Sequence, residues 1–204
     1  VEPRDLVGKK VGAPGLPSDE ALLDTMLRFQ GLSLEDVEMV NVGFDLVAAL
    51  ISKQVDAIVG AYWVHESISA ENQGFEINVM RMEENGVPDF YELVIVASED
   101  TIANDPDLVR RFVRGVTKGY QDAIADPEDA VHLLKEVRPE VDVAIEIPGV
   151  ALLAPLWAAE NRSFGWQETN RWTEFANWMV ESGRLSSAAS AEEAFDNQFV
   201  ADRQ

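Results

Sequence analysis

The sequence contains no cysteine and few basic residues: 16 lysines and arginines stand against 37 aspartates and glutamates. The absence of cysteine excludes disulfide bonds, thiolate nucleophiles and cysteine metal sites. The formal net charge of −21 argues against nucleic acid and anionic membranes as partners, because both require a basic face. Such acidity mostly serves solubility, and adaptation to a salt-rich habitat is a second interpretation.

Long apolar runs and phosphate-binding motifs are also missing. The apolar stretches are too short for a membrane span, and neither GxxxxGK[ST] nor GxGxxG occurs. The chain opens at Val1 without an initiator methionine or a signal peptide, which predicts a processed or truncated sequence. A length of 204 residues predicts one or two globular domains with a sizeable core.

A strand–helix–strand pattern is the clearest structural rhythm in the chain. Residues 37–42 are a β-branched run, 44–53 have apolar residues at helical spacing, and 55–61 are a second apolar run. This order predicts a βαβ unit with parallel strands. Open parallel sheets bind ligands just beyond the carboxyl ends of their strands. The side chains predicted at those ends include Gly43, Phe44, Tyr62, Trp63, His65 and Glu66.

The flanking segments extend the α/β pattern. Capping signals and alternating apolar residues predict further strands at 8–12, 75–82 and 90–97, and helices at 18–30 and 66–74. Residues 5–82 are therefore predicted to form a three-layer α/β lobe with a parallel sheet, and 83–100 a hinge or crossover strand. The backbone N–H groups at the start of the helix at Ser18 can receive a polar ligand group, although an ordinary capped helix explains the pattern equally well.

From residue 101 the pattern changes to helices. Start signals and apolar spacing predict helices at 104–125, from 127 onward, within 141–161 with interruptions at its prolines, and at 166–183. In the last helix Trp172, Phe175 and Trp178 share one face, which indicates packing rather than a stacking platform. His132 is interpreted as a surface or packing histidine. A helical segment at 101–204 is expected to pack on something else.

Four stretches carry a resemblance to a known family. They are DLVGKKVGAPGLPSDEALL at 5–23, VEMVNVGFDLVAALISKQVDAIVGAYWVHE at 37–66, NGVPDFYELVIVASEDTIANDPDLVRRFV at 85–113 and WTEFANWMVESGRL at 172–185. In this order they resemble the substrate-binding proteins of ABC transporters that capture thiamine pyrimidine precursors. The same superfamily contains the fungal enzymes that make that pyrimidine.

The resemblance implies the two-lobed, type II periplasmic-binding-protein fold. On that plan residues 5–82 match lobe two, and the mostly helical segment 101–204 matches only the returning part of lobe one. The bulk of lobe one has no counterpart, so the resemblance implies a fragment, a second chain that completes lobe one, or self-association through the helices.

The resemblance also implies an aminopyrimidine site. A flat ring with an amidine-like edge needs an aromatic face and an aligned acceptor. Tyr62 or Trp63 is expected to supply the face, Glu66 the acceptor and His65 a donor. The remaining candidates are Pro14, Gly15, Ser18, Gly43 and Phe44 near the strand ends, and Tyr91 and Glu92, which would close the cleft from the hinge. From the residues alone, an aromatic core with solvated acids is an equal alternative.

The implied function is transport without catalysis, cofactor or metal. The protein is expected in the periplasm or otherwise outside the cytoplasm, lipid-anchored or free, and to deliver its ligand to an ABC permease. The pyrimidine-forming relatives are disfavoured because they use a lysine-bound pyridoxal phosphate and a sacrificial histidine in a part absent here, and a cysteine-rich run where this chain has 86–92. Binding of sulfonate, nitrate or taurine is a second alternative, which Glu66 and Glu92 disfavour, and a sensor module is a third.

Overall fold

The computed structural model describes residues 1–157, 162–188 and 193–200, and these form two compact units. The first unit comprises Val1–Asp89 together with Glu181–Arg184. The second comprises the described residues of Phe90–Val180 and Leu185–Gln204. The assignment of 5–82 to lobe two and of 101–204 to lobe one stays a prediction.

A three-stranded parallel sheet forms the centre of the first unit. Strand β1 (Lys10–Ala13) lies between β2 (Glu38–Asn41) and β3 (Ala57–Ile58). The register pairs Val11 with Met39 on one side and with Ala57 on the other. The predicted parallel arrangement of the strands at 37–42 and 55–61 is confirmed, and β1 is the strand that separates them.

Three helices alternate with these strands, as the βαβ pattern predicted. They are α1 (Pro17–Phe29), α2 (Leu46–Ile51) and α3 (Glu66–Asn72), with 3₁₀ turns at Pro3–Leu6, Leu34–Asp36 and Glu83–Asn85. The crossover from β1 to β2 and the crossover from β2 to β3 run in opposite directions across the sheet. Because such crossovers are right-handed, α1 and α2 cover opposite faces.

The core of the first unit lies between β1 and α1. Val11 and Ala13 point to the same face of the strand and pack with Leu23 and Leu27 of α1, all of them buried. Burying a leucine side chain of this kind contributes about 1.5–3 kcal/mol relative to leaving it exposed. The α1–β1 contact therefore fixes where the carboxyl end of β1 lies.

Two strands predicted from alternation are absent from the described structure. Residues 75–82 and 90–97 form no strand pairing. A strand needs a neighbour for its backbone groups and a layer to cover its apolar face. Phe75 and Val79 would share a strand face, yet they are 41% and 47% exposed, and Val96 is 84% exposed. The apolar pattern is present, but within the described residues nothing pairs with it.

The second unit is helical. Its helices are α4 (Glu99–Asn104), α5 (Pro106–Ala125), α6 (Pro127–Val137), α7 (Val143–Trp157) and α8 (Thr169–Glu181), with a 3₁₀ turn at Asn197–Phe199. Asp105 and Asp126 cap α5 and α6, since each carboxylate accepts a hydrogen bond of 3.0 Å from a backbone N–H in the first turn. No helix in the described part of the chain is long and apolar enough to cross a membrane.

Helix α7 differs from its prediction in one respect. Pro148 and Pro155 were expected to interrupt it, yet both lie inside the helix. Each proline removes one backbone hydrogen bond, and the packing of α7 against α5 and α6 keeps the helix continuous. The last predicted residues, 158–161, lie outside the described residues.

The aromatic face of α8 is covered in part by ring packing within the second unit. Phe175 stacks on Phe90 with 4.6 Å between ring centroids and lies 5.2 Å from Trp178. Trp172 lies 6.0 Å from Tyr91. The interpretation of these tryptophans as packing residues is confirmed.

Candidate functional site

The carboxyl ends of all three strands lie at one edge of the sheet, and each is followed by the same kind of turn. Two residues after each strand ends there is a glycine with positive φ, namely Gly15 (88°), Gly43 (61°) and Gly60 (83°). Residues with a side chain avoid this conformation, so glycine lets the backbone turn sharply at each strand end. We call the three turns, residues 14–18, 43–44 and 60–66, the strand-end edge.

The first turn packs against the other two without spare room. A Cβ atom on Gly60 would stand 3.0 Å from the Oδ1 atom of Asp19 and 3.1 Å from the ring of Pro14. A Cβ atom on Gly15 would collide with the side-chain amide of Asn41. Asn41 in turn accepts a hydrogen bond of 3.0 Å from the N–H of Gly43. The three turns are therefore held in a fixed relation to one another.

Asp19 and Asn41 are the two residues of this site that sequence reasoning missed. Asp19 is 3% exposed, and its Oδ2 atom accepts a hydrogen bond of 2.8 Å from the N–H of Leu16. It, rather than the exposed Ser18, provides the side-chain hydrogen bond at the start of α1. The Asn-x-Gly pattern at a strand end was a usable signal for Asn41, because asparagine commonly bonds to its own backbone two residues on.

The turn after β3 carries the predicted polar residues. The Oε2 atom of Glu66 accepts a hydrogen bond of 2.8 Å from the N–H of Tyr62, and the N–H of Glu66 donates to the carbonyl of Tyr62 at 3.0 Å. The Nδ1 atom of His65 lies 3.6 Å from Glu66 Oε1. Glu66 thus closes the turn at 62–66 that leads into α3. A carboxylate has about four lone-pair sites, so this bond leaves capacity for a ligand N–H.

The aromatic side chains of the strand-end edge differ in exposure. Tyr62 is 46% exposed and Phe44 is 80% exposed. Trp63 is half-buried, and the guanidinium of Arg81 lies 4.2 Å from its ring centroid. Arg81 also forms an ion pair with Glu83. One face of the Trp63 ring is therefore covered by a cation, whereas Tyr62 and Phe44 present ring surface to solvent.

Tyr91 and Glu92 belong to the second unit, whereas the other predicted site residues belong to the first. The hydroxyl of Tyr91 accepts a hydrogen bond of 2.8 Å from the N–H of Glu168, and the guanidinium of Arg171 lies 4.8 Å from its ring centroid. Glu92 is exposed. The structure therefore ties the ring of Tyr91 into the packing around α8.

The first unit also has an open depression away from the strand-end edge. It has a volume of about 520 Å³ and lies beside Glu71 and residues 74–78, in the coil after α3. Among residues 1–157, 162–188 and 193–200, no group of three histidine, aspartate or glutamate side chains could hold a metal ion. The side chains at the strand-end edge can stack on a ring and form hydrogen bonds.

Comparisons with known proteins agree on a family. The family model described as "NMT1/THI5 like" matches residues 1–130. The formylaminopyrimidine-binding protein of Halalkalibacterium halodurans is 31% identical over 199 residues, which cover 96% of this chain and 60% of that protein. The riboflavin-binding protein RibY of Chloroflexus aurantiacus is also 31% identical, over 96% of this chain and 57% of that protein.

A solved structure supports the fold. A periplasmic sulfonate-binding protein of Methylobacillus flagellatus matches 97% of this chain with a TM-score of 0.58 and 19% identity. The match covers 60% of that protein, so this chain spans about three fifths of the length of the proteins it is similar to. At this identity the similarity concerns the fold alone, which this chain shares with that periplasmic binding protein.

Proposed function

Because the chain belongs to the NMT1/THI5-like family, we propose that it is part of a solute-binding protein that captures a thiamine pyrimidine precursor for an ABC transporter. The observation that carries the proposal is the turn after β3, where an exposed tyrosine and a carboxylate stand on one short segment. Tyr62 is 46% exposed, and Glu66 is fixed by its hydrogen bond to the N–H of Tyr62. This pairing suits a flat ring with N–H donors on one edge.

The proposed roles follow from exposure and bonding. Tyr62 stacks on the aminopyrimidine, because it is the more exposed of the two aromatic residues, at 46% against the half-buried Trp63. Glu66 accepts from the amidine-like edge, since a charged acceptor makes shorter and stronger hydrogen bonds than a neutral one. His65 and Phe44 flank the ring, and the glycine turns let the backbone approach it. Pro14 and Ser18 border the same edge.

Capture is proposed to work by closure of two lobes. The ligand stabilises the closed state because both lobes touch it only there. The shift toward the closed state is set by the difference between the ligand's binding free energies for the closed and open states. Tyr91 and Glu92 are proposed to contribute to the closed state. A protein of this kind works outside the cytoplasm, in the periplasm or at the membrane surface, and passes its ligand to a membrane permease. No chemical step is required of it.

A flavin is the second candidate ligand. The observation in its favour is the equal identity, 31%, to a protein named for riboflavin binding. The isoalloxazine ring is flat and carries a donor and acceptors on one edge, so Tyr62 and Glu66 could engage it in the same way. An anionic sulfonate fits less well, because Glu66 would lie close to the negative charge.

We propose that a further polypeptide covers the apolar run 93–96 and completes lobe one. Leu93 and Val96 of this run are 79% and 84% exposed. The relatives have about two fifths of their length outside the match, which is enough chain to supply a covering strand and helices. A monomer by light scattering that binds no apolar dye would contradict this proposal. Self-association of the isolated chain, or a monomer that binds the dye, would support it.

The test of the ligand is a titration with formylaminomethyl-aminopyrimidine, followed by amide shifts in nuclear magnetic resonance spectra. This method detects weak binding, and the chain with one lobe incomplete is expected to bind more weakly than micromolar. Glu66→Gln keeps an acceptor for the N–H of Tyr62 but removes the charge. Glu76→Gln, at an exposed position in the coil after α3, is the matched control.

The proposal expects shifts at residues 60–66 in the unmodified chain and in the control variant, and their loss in Glu66→Gln. Riboflavin is titrated in parallel. Shifts with riboflavin alone would select the flavin. Equal shifts in both variants would remove Glu66 from the site, and absence of shifts with either ligand would refute the proposed ligand class for this edge.

A further inference from the structure

Asp19 is the most deeply buried charged side chain in the described structure, with 3% exposure. A carboxylate loses much of its hydration when it is buried, so such a group is retained where hydrogen bonds and geometry compensate for that loss. One oxygen of Asp19 accepts the hydrogen bond from the N–H of Leu16, and the N–H of Asp19 donates to the carbonyl of Leu16 at 3.0 Å. These two bonds close the first turn of the strand-end edge on itself.

The second oxygen of Asp19 faces the third turn. Its distance to the position of a Cβ atom on Gly60 would be 3.0 Å, and the Pro14 ring lies at 3.1 Å from the same point. On the sheet side, the N–H of Val59 donates to the carbonyl of Gly12 at 2.9 Å. The backbone at 59–60 is therefore held between β1 on one side and Asp19 with Pro14 on the other.

The segment held in this way leads directly to Tyr62. Only Ala61 separates Gly60 from it, so a shift of Gly60 changes the direction in which the tyrosine ring and the Glu66 carboxylate point. The hydrogen bond between the N–H of Tyr62 and Glu66 makes residues 62–66 move as one unit. Any loosening at Asp19 is thus transmitted to both ligand-facing groups.

We propose that Asp19 is a positioning residue of the ligand site, which fixes the third turn against the first so that both can touch one flat ligand. The inference rests on the proposed function for its ligand, but the coupling between the turns is a property of the protein by itself. Asp19 contacts no ligand in this arrangement. It acts through Gly60 on Tyr62 and Glu66.

The experiment compares three variants. Asp19→Ala removes both the acceptor and the contact, whereas Asp19→Asn keeps the shape and an acceptor oxygen for Leu16. Glu20→Ala is the matched control, because it removes an exposed acid from the same first turn of α1. Amide hydrogen exchange of residues 60–66 is measured well below the unfolding temperature, and the aminopyrimidine titration is repeated on each variant.

Asp19→Ala is expected to speed exchange of the Tyr62 amide about tenfold and to weaken ligand binding by a similar factor. About a tenfold effect is expected because the variant loses the hydrogen bond to Leu16 and the packing of Asp19 near Gly60. Asp19→Asn is expected to restore both values to near those of the unmodified chain, and Glu20→Ala to change neither. A purely structural role would lower the melting temperature without selective exchange at 60–66.

Unchanged exchange at 60–66 in Asp19→Ala would overturn the inference, and so would an Asp19→Asn variant as defective as Asp19→Ala. If Asp19→Ala does not fold, Asp19→Ser, which shortens the side chain but keeps an acceptor oxygen, replaces it: faster exchange at 60–66 than in Glu20→Ala supports the inference, and exchange equal to that in Glu20→Ala overturns it. Absence of aminopyrimidine binding by the unmodified chain would count against the proposed ligand, while the exchange measurement still tests the role of Asp19.

Discussion

The substitution Gly60→Ala tests the packing of the strand-end edge most directly. Gly60 has φ of 83°, and a left-handed conformation costs a residue with a side chain about 1–2 kcal/mol. The added methyl group would also stand 3.0 Å from Asp19 Oδ1 and within 3.3 Å of two Pro14 ring atoms. Overpacking of this kind typically costs about 1–3 kcal/mol. We therefore expect a total loss of about 2–5 kcal/mol in the free energy of unfolding.

Gly74→Ala separates the two contributions. Gly74 has φ of 85°, close to that of Gly60, but a Cβ atom there would meet nothing within 4 Å. Like Gly60→Ala, Gly74→Ala loses about 1–2 kcal/mol of stability because alanine disfavours the left-handed backbone conformation. It also has the same gain in stability from a less flexible unfolded chain. The difference between the two variants, about 1–3 kcal/mol, isolates the contact with Asp19 and Pro14.

The assay is thermal unfolding by circular dichroism, with hydrogen exchange at the β1 amides to assign the change to the first unit. A loss of 1 kcal/mol lowers the melting temperature of a domain of this size by about 4–8 °C. Gly60→Ala is expected to unfold at least 4 °C below Gly74→Ala by the same relation. Equal melting temperatures for the two variants would refute the contact at Gly60 and, with it, the coupling between the first and third turns.

Three further predictions concern the second unit. Gly119→Ala, in the interior of α5 where a Cβ atom meets nothing within 4 Å, is expected to stabilise the unit by about 0.5–1 kcal/mol in urea unfolding. Tyr91→Phe removes the acceptor for the N–H of Glu168 and is expected to lower stability by about 0.5–1.5 kcal/mol, measured in the same way. A backbone hydrogen bond and the Arg138 guanidinium hold the pKa of Glu140 below its ordinary value, so its stabilising effect is present above the unfolded-state pKa and is lost as the pH falls through the folded one. Titration of Glu140 followed by nuclear magnetic resonance checks this, and an unshifted value would contradict it.

Local patterns in the sequence were sufficient to predict the three parallel strands and the approximate positions of seven of the eight described α-helices, whereas α4 (Glu99–Asn104) was not predicted. The strands within 37–42 and 55–61 could be predicted because β-branched residues and flanking glycines influence the backbone only over a few positions. Asp105 and Asp126 were readable as helix starts for the same reason, since a cap acts on the next turn. The order of the strands needed one more piece of information, the pairing of β1 with both neighbours, which no local pattern contains.

The failures arose where a structure depends on distant partners. Residues 90–97 have the apolar pattern of a strand, but a strand also needs a neighbour to pair with. The proposed choice of Tyr62 rather than Trp63 as the stacking ring rests on their different exposure, which local sequence patterns do not contain. Asp19 was missed because no local pattern distinguishes it from Glu20. Only its burial and its approach to Gly60 do so.

The glycine turns have a consequence for how new specificity could arise on this scaffold. The conformation of the edge is set by backbone positions 15, 43 and 60, while Phe44 and Tyr62 project from it with 80% and 46% exposure. Exposed side chains can usually be exchanged with small effects on stability. A combinatorial library that randomises 44 and 62 and leaves the glycines untouched would therefore sample many ring-shaped ligands on one unchanged frame, and most of its members would still fold.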